Sequence, residues 1–232
     1  MDRRKFTSGV AAAGGLGVFV AWPAAAQAAE LSEGDAALGV RAALERGAVA
    51  AVALLGKSGG YLDNPKVRIP LPGFLNDAAK LLKMTGQQKR VDELITAMNR
   101  AAEAAVPEAK ALLVSAVKSM SVQDGRQLLT GGDNAVTQFF AGKTREPLGV
   151  KFLPIVTKAT EKVALADKYN SVAGKASSIG LIGKGDANIQ QYVTGKALDG
   201  LYLMIGEEER KIRQDPVGTG SAILKKVFGS LK

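Results

Sequence analysis

The chain has 232 residues and a formal net charge of +9, with no histidine and no cysteine. The lack of cysteine excludes disulfides, thiolate nucleophiles and zinc–sulfur sites, and the lack of histidine excludes Ser-His-Asp triads and histidine metal sites. Any catalysis would depend on carboxylates, lysine, tyrosine or hydroxyl groups, and any bound metal would be a hard cation on oxygen ligands.

The N-terminal residues 1–28 have the pattern of a cleaved export signal. A charged start is followed by an apolar run rich in glycine and alanine, and then by an A-x-A site. Paired arginines ahead of a phenylalanine favour the twin-arginine route. The residues that carry this interpretation are Arg3, Arg4, Phe6, Ala26 and Ala28.

We expect cleavage after Ala28, which leaves residues 29–232 as a single periplasmic domain with a net charge of +7. An uncleaved membrane anchor is the alternative, but its apolar run is shorter than the roughly 20 residues that a span requires. No later stretch has the composition of a transmembrane helix, so none is expected in the mature chain.

Apolar residues at spacings of three and four predict helices in the first half of the mature chain. The first helix runs from Asp35 to about Leu55, and two more cover residues 74–84 and 87–105. Pro107 suits the first turn of the next helix. Ser121 and Asp124 then form the pattern of a capping box at the start of another short helix.

A segment of different character lies between the first two predicted helices. Residues 64–72 read NPKVRIPLP, and three prolines in so short a stretch cannot lie in a helix interior. Val67, Ile69 and Leu71 alternate with Lys66 and Arg68, so we expect an extended connector laid on the helical core.

The second half of the chain is also predicted to be helical. One helix carries Phe139 and Phe140, and another covers residues 146–166, kinked or split at Pro154. Residues 169–188 contain four glycines and are predicted to be a looser hinge or loop.

The most strongly patterned helix is predicted at residues 194–213. Its exposed face would carry the pairs Glu207–Lys211 and Glu209–Arg213, and Asp215-Pro216 would end it. A last amphipathic helix would follow. The fold class predicted from the whole pattern is all-α, a single multi-helix bundle with one extended Pro-rich connector at residues 64–72.

A polar cluster among alanines is the main candidate site. Asn99, Arg100 and Glu103 lie three or four residues apart and therefore share one helix face. The cluster could bind a ligand where a second helix approaches closely, or it could be a satisfied structural network. Glu208 is a further candidate of the same kind.

A second candidate is the glycine-rich turn before the last predicted helix. Free backbone N–H groups and the helix dipole favour anions at such a start, although an ordinary turn and helix cap is the alternative. Its residues are Gly218, Thr219, Gly220 and Ser221. No residue pattern assigns a catalytic group, a metal site or a cofactor.

Four stretches of the chain resemble a known family. They are NPKVRIPLP at 64–72, AMNRAAEAAVPEAKALL at 97–113, LLTGGDNAVTQFF at 128–140, and the long stretch from Lys196 to Phe228. These residues are similar to the bacterial domain-of-unknown-function 4197 family. The resemblance implies an exported, all-helical envelope protein and carries no established activity, catalytic residue or cofactor.

Three functional hypotheses remain. The first is a non-enzymatic periplasmic protein that binds an envelope protein or another envelope component. The second is a carrier of an apolar ligand such as a lipid or quinone, in a cavity near Phe139, Leu198, Leu201 and Tyr202. The third is an enzyme that uses carboxylates or a hard metal. Dispersed charge and few aromatic residues argue against nucleic acid.

Overall fold

Helices account for nearly all of the secondary structure in the computed structural model, which describes residues 33–132, 135–180, 182–183, 186 and 188–215. Within these ranges there are eight α-helices, two short 3-10 turns and no β-strand. The all-α prediction is therefore confirmed. The helices are α1 Glu33–Leu55, α2 Asn76–Met84, α3 Gln88–Ala105, α4 Ala109–Lys118, α5 Val122–Thr130, α6 Ala135–Thr160, α7 Ala164–Ser178 and α8 Ile189–Gln214.

Helices α6 and α8 lie at the centre of the bundle. α8 packs against α6, α1 and α3, while α6 also packs against α3 and α4. Several of the largest fully buried side chains come from α6 and α8, namely Phe140, Phe152, Leu148, Leu201 and Ile205. None of the described helices combines the length and the apolar character needed to cross a bilayer.

Small residues let the helices of the core approach one another closely. Ala101, Ala102 and Ala105 on α3 are fully buried, as is Ala51 on α1. A short side chain at a helix contact brings the backbones together, so the abundant alanine serves packing as well as helix propensity.

The predicted local signals are confirmed at several helix ends. Ser121 and Asp124 form a capping box at α5, in which each side chain bonds the other residue's backbone N–H. The turn between α2 and α3 contains Gly86, which has a positive φ of 77°. α1 begins at Glu33, so Asp35 lies inside the helix rather than at its cap.

Two predictions about the second half of the chain are wrong in part. α6 is one continuous helix to Thr160 that contains Pro147 and Pro154, so Pro154 does not split it. Proline removes an N–H and leaves the carbonyl four residues earlier without its helical partner. Both prolines are exposed, as are Lys143 and Val150 four residues before them, so water can bond those carbonyls.

The region predicted to be loose is helical over its first ten residues. α7 extends to Ser178, and it buries Ala166, Tyr169 and Ala173 along one face. These three residues lie three or four positions apart, which gives the segment an apolar stripe despite its glycine.

α8 begins five residues earlier than predicted and buries one residue expected in water. Asn188 caps it by accepting a hydrogen bond from the N–H of Gln191 at 2.8 Å. Glu209 is only 8% exposed, so it does not lie on the exposed face. Glu207 pairs with Lys66 at 2.6 Å, and Lys211 pairs with Glu208 instead of Glu207.

The connector predicted at residues 64–72 is confirmed as a non-helical strip. Its Val67 and Ile69 are buried, and it packs against α8 where Gly200 leaves room for it. A Cβ atom at Gly200 would lie 2.8 Å from Cε1 of Tyr61 and 3.2 Å from Cβ of Val67.

Substitution of the glycines on α8 is expected to have opposite effects at two positions. Gly200→Ala should lower the free energy of unfolding by about 1–3 kcal/mol, because the new methyl group overpacks the connector. Gly195→Ala, one turn earlier, should raise it by up to about 1 kcal/mol, since nothing lies within 4 Å of its Cβ position. Urea denaturation of both variants measures the difference, and equal stabilities would contradict this packing.

Candidate functional site

The predicted polar cluster on α3 holds the connector. The side chain of Asn99 accepts a hydrogen bond from the N–H of Ile69 at 2.8 Å and donates one to the C=O of Ile69 at 2.9 Å. It also donates to the C=O of Ile95 at 2.8 Å. Asn99 thus pairs with a single connector residue as a neighbouring strand would, in a fully buried position.

Glu103 bonds the turn that precedes the connector, one helical turn further along α3 than Asn99. Its Oε1 accepts the backbone N–H groups of Tyr61 at 3.1 Å and Leu62 at 3.0 Å. Its Oε2 accepts a hydrogen bond from Arg100 at 2.6 Å, and Arg100 also donates to the Ser58 hydroxyl at 2.8 Å. The turn that leaves α1 is therefore held to α3 by one buried carboxylate.

These hydrogen bonds keep the Glu103 carboxylate ionised. Burial by itself raises the pKa of Glu103, but the N–H groups of Leu62 and Tyr61 and the guanidinium of Arg100 hold the pKa below its ordinary value of 4.5. A carboxyl group with a lowered pKa is poorly suited to act as a general acid or base near neutral pH.

Two tyrosine hydroxyls tie the connector and the turn before it to α8. The Tyr61 hydroxyl donates to the C=O of Ala197 at 2.6 Å, and the Tyr192 hydroxyl donates to the C=O of Pro70 at 3.0 Å. Burial raises the pKa of the Tyr61 hydroxyl far above its ordinary value, and Asp199 and Glu103 add to the shift. The hydroxyl therefore stays protonated as a hydrogen-bond donor.

The structure brings Asn99, Arg100 and Glu103 together and leaves Glu208 elsewhere. Glu208 lies on α8 against α1, where its Cβ is 3.6 Å from the Cβ position of Gly47, and its carboxylate pairs with Lys211 at 2.5 Å. The side chain of Asn99 bonds the backbone of the connector, and that of Glu103 bonds Arg100 and the backbone of the turn before the connector, as in a satisfied structural network.

The other residues singled out from the sequence lie outside the described ranges. They are Gly218, Thr219, Gly220 and Ser221 of the glycine-rich turn, and Arg3, Arg4, Phe6, Ala26 and Ala28 of the export signal.

An apolar cleft opens between α2, α3 and α7, and the sequence did not reveal it. We refer to it as the α2 cleft. It has a volume of about 280 Å³. The side chains that line it are mostly aliphatic and include Leu71, Leu75, Leu82, Val91, Leu94 and Leu165.

α2 covers this cleft only loosely. Ala79 is the one buried side chain among those described on α2, whereas Leu81 is 63% exposed and Met84 is 85% exposed. A second groove, of about 360 Å³, lies between α2, the connector and α3 and shares Leu71, Ala79 and Val91 with the α2 cleft. Space on two sides of α2 shows that this helix is not packed into the core.

Cationic side chains border the α2 cleft. Arg90 of α3 and Lys168 of α7 are among its lining residues, and no aspartate or glutamate belongs to that lining as the structure describes it. Tyr169 also faces the cleft, with its ring 6.0 Å from that of Phe74 and its hydroxyl bonded to the C=O of Asp186.

The cleft differs in place from the cavity expected on sequence grounds. Leu198, Leu201 and Tyr202 are at most 3% exposed and pack within the core. The nearest signal in the sequence was the run Leu81-Leu82 with Met84, which spreads apolar residues around more than one face of a short helix. Only the position of α7 shows which of them line a cleft.

No group of three or more aspartate and glutamate side chains suited to a metal ion occurs in the described part of the chain. Among the concavities of the described chain, the α2 cleft combines an apolar lining with the exposed cationic residues Arg90 and Lys168.

Comparisons with known proteins place the chain in a family without assigning an activity. A search of curated proteins found no match. A search of solved structures found none either. The family described as protein of unknown function DUF4197 matches residues 30–229, which is nearly the whole chain and agrees with the resemblance seen in the sequence. The chain belongs to the DUF4197 family of proteins of unknown function.

Proposed function

We propose that this chain is an exported, non-enzymatic protein of the bacterial envelope that binds an envelope component in the α2 cleft. The observation that carries the proposal is the cleft itself, a concavity lined by leucine and valine side chains and covered by a loosely packed helix. Concave apolar sites with a few polar groups are the usual form of small-molecule binding sites in proteins.

The N-terminal pattern supports the exported location. A charged start, an apolar run and an A-x-A site precede the helical domain, and the paired Arg3 and Arg4 favour the twin-arginine route. An envelope location would place the α2 cleft beside a large supply of apolar molecules.

The polar residues support a binding role more than a catalytic one. Asn99 and Glu103, the buried polar side chains of α3, form hydrogen bonds with the connector and with the turn before it. The described tyrosines with raised pKa values are buried and protonated, so they supply no base at neutral pH.

Binding of the uncharged fluorophore N-phenyl-1-naphthylamine tests the proposal. We expect saturable binding to the wild-type chain with one site per molecule, seen as a rise in fluorescence when the dye leaves water. Ala79→Trp should abolish it, because this residue lines the cleft and an indole would fill the space.

The matched control is Ala111→Trp, at an exposed position on α4, which should bind the dye as the wild type does. Circular dichroism checks that both variants are folded. Absence of saturable binding to the wild type, or unchanged binding to a folded Ala79→Trp variant, would contradict the proposed site.

A further inference from the structure

We infer that the α2 cleft takes a single hydrocarbon chain with an anionic headgroup, such as a fatty acid, and that Arg90 and Lys168 bind the headgroup at the rim. This inference rests on the proposed function and adds the chemical class of the ligand. It follows from the size of the cleft, its charge and the way α2 covers it.

The size of the cleft favours a ligand with a single hydrocarbon chain. Its volume of about 280 Å³ is slightly below the range of roughly 300–1,000 Å³ found for small-molecule sites. Its apolar floor offers hydrocarbon contacts along its length, from Leu71 at the end of the connector to Leu165 on α7. This space suits one hydrocarbon chain better than two.

The positive charge at the rim of the cleft favours an anionic headgroup. Lys168 is exposed and forms no ion pair with any described residue, and Arg90 donates one N–H to the side chain of Gln87 at 3.1 Å. Both cations therefore have N–H groups left for a headgroup. A carboxylate at the mouth would complement them without meeting a like charge among the described lining residues.

Movement of helix α2, which covers the cleft, would give a ligand a route into it. A glycine lies near each end of α2. A Cβ atom added at Gly73 would contact nothing within 4 Å, and Gly86 adopts the left-handed conformation with a φ of 77°. Glycine tolerates large changes of backbone angle, so these two positions suit the ends of a moving helix. Leu81, which is exposed but lines the cleft, would gain apolar contact when a chain enters.

Displacement of N-phenyl-1-naphthylamine by ligands of equal chain length tests the headgroup. Dodecanoate should displace the dye from the wild-type chain at about a tenfold lower concentration than dodecanol, as expected for two partly exposed ion pairs. In the double variant Arg90→Gln/Lys168→Gln this preference should fall to nearly equal concentrations, while displacement by dodecanol stays unchanged.

The control double variant Lys110→Gln/Lys118→Gln removes the same charge from exposed positions of α4 and should keep the preference. Equal displacement by dodecanoate and dodecanol in the wild type would overturn the inference while leaving the proposed function intact. If the dye itself does not bind, the proposed function fails first, so the two failures are distinguishable.

Hydrogen exchange tests the role of α2 separately. Dodecanoate should slow the exchange of amides in residues 76–84 and leave those of α4 unchanged, because only α2 would close over the chain. Unchanged exchange in α2 would contradict its role as a cover. A dimer in sedimentation that Leu81→Asp dissociates would assign the cleft to a second copy and overturn the inference.

Discussion

Replacing Asn99 by alanine is expected to lower the free energy of unfolding by about 3–4 kcal/mol, among the largest effects of a single substitution in this protein. The N–H and C=O groups of Ile69 would both lose their partner at a position that is 1% exposed. An unpaired buried polar group costs about 1–3 kcal/mol, and a small cavity adds to this. Urea denaturation followed by circular dichroism measures the loss.

Thr96→Ala is the matched control, because Thr96 lies on the same helix but is exposed. Its effect should stay within about 0.5 kcal/mol. Asn99→Asp adds a second comparison: the carboxylate can still accept from Ile69 but cannot donate to its carbonyl. A loss below about 1 kcal/mol for Asn99→Ala would mean that the connector is held by other contacts.

Replacing Glu103 by alanine should cost about 3 kcal/mol at neutral pH, since the N–H groups of Tyr61 and Leu62 would be left without an acceptor. Exposed Glu93 on the same helix provides the control Glu93→Ala, which should change stability by less than about 0.5 kcal/mol.

The contribution of Glu103 should also depend on pH. Its pKa in the folded chain is below the ordinary value of 4.5, so the folded state favours the ionised form. This stabilisation is complete above the unfolded pKa and is lost as the pH falls through the folded one. The stability of the wild type and Glu103→Gln should therefore converge on acidification, and a constant difference would contradict the assignment.

Much of the fold could be predicted because helix signals are local. Helix α1 before the connector and the long α3 follow from spacings of three and four, and the capping box at Ser121 follows from two residues three apart. The extended connector follows from its prolines, which fit no helix interior. The family resemblance is likewise carried by the order of residues along the chain.

The second half of the chain was harder to predict because tertiary packing determines where its helices end and which residues they bury. Exposed prolines on α6 are tolerated by one long helix whose opposite face is buried against α3 and α8. The burial of Glu209 likewise depends on which helices surround α8, and the periodicity of one helix cannot supply that information.

For the candidate site, the sequence by itself determined which chemistry is missing and which polar residues cluster. The composition shows that histidine and cysteine are absent. Helical spacing places Asn99, Arg100 and Glu103 on one face. Only the tertiary structure decided what that face bonds, since the connector lies about 30 to 40 residues away along the chain. It alone also decided where the α2 cleft lies, because helices α2, α3 and α7 are brought together by long-range packing.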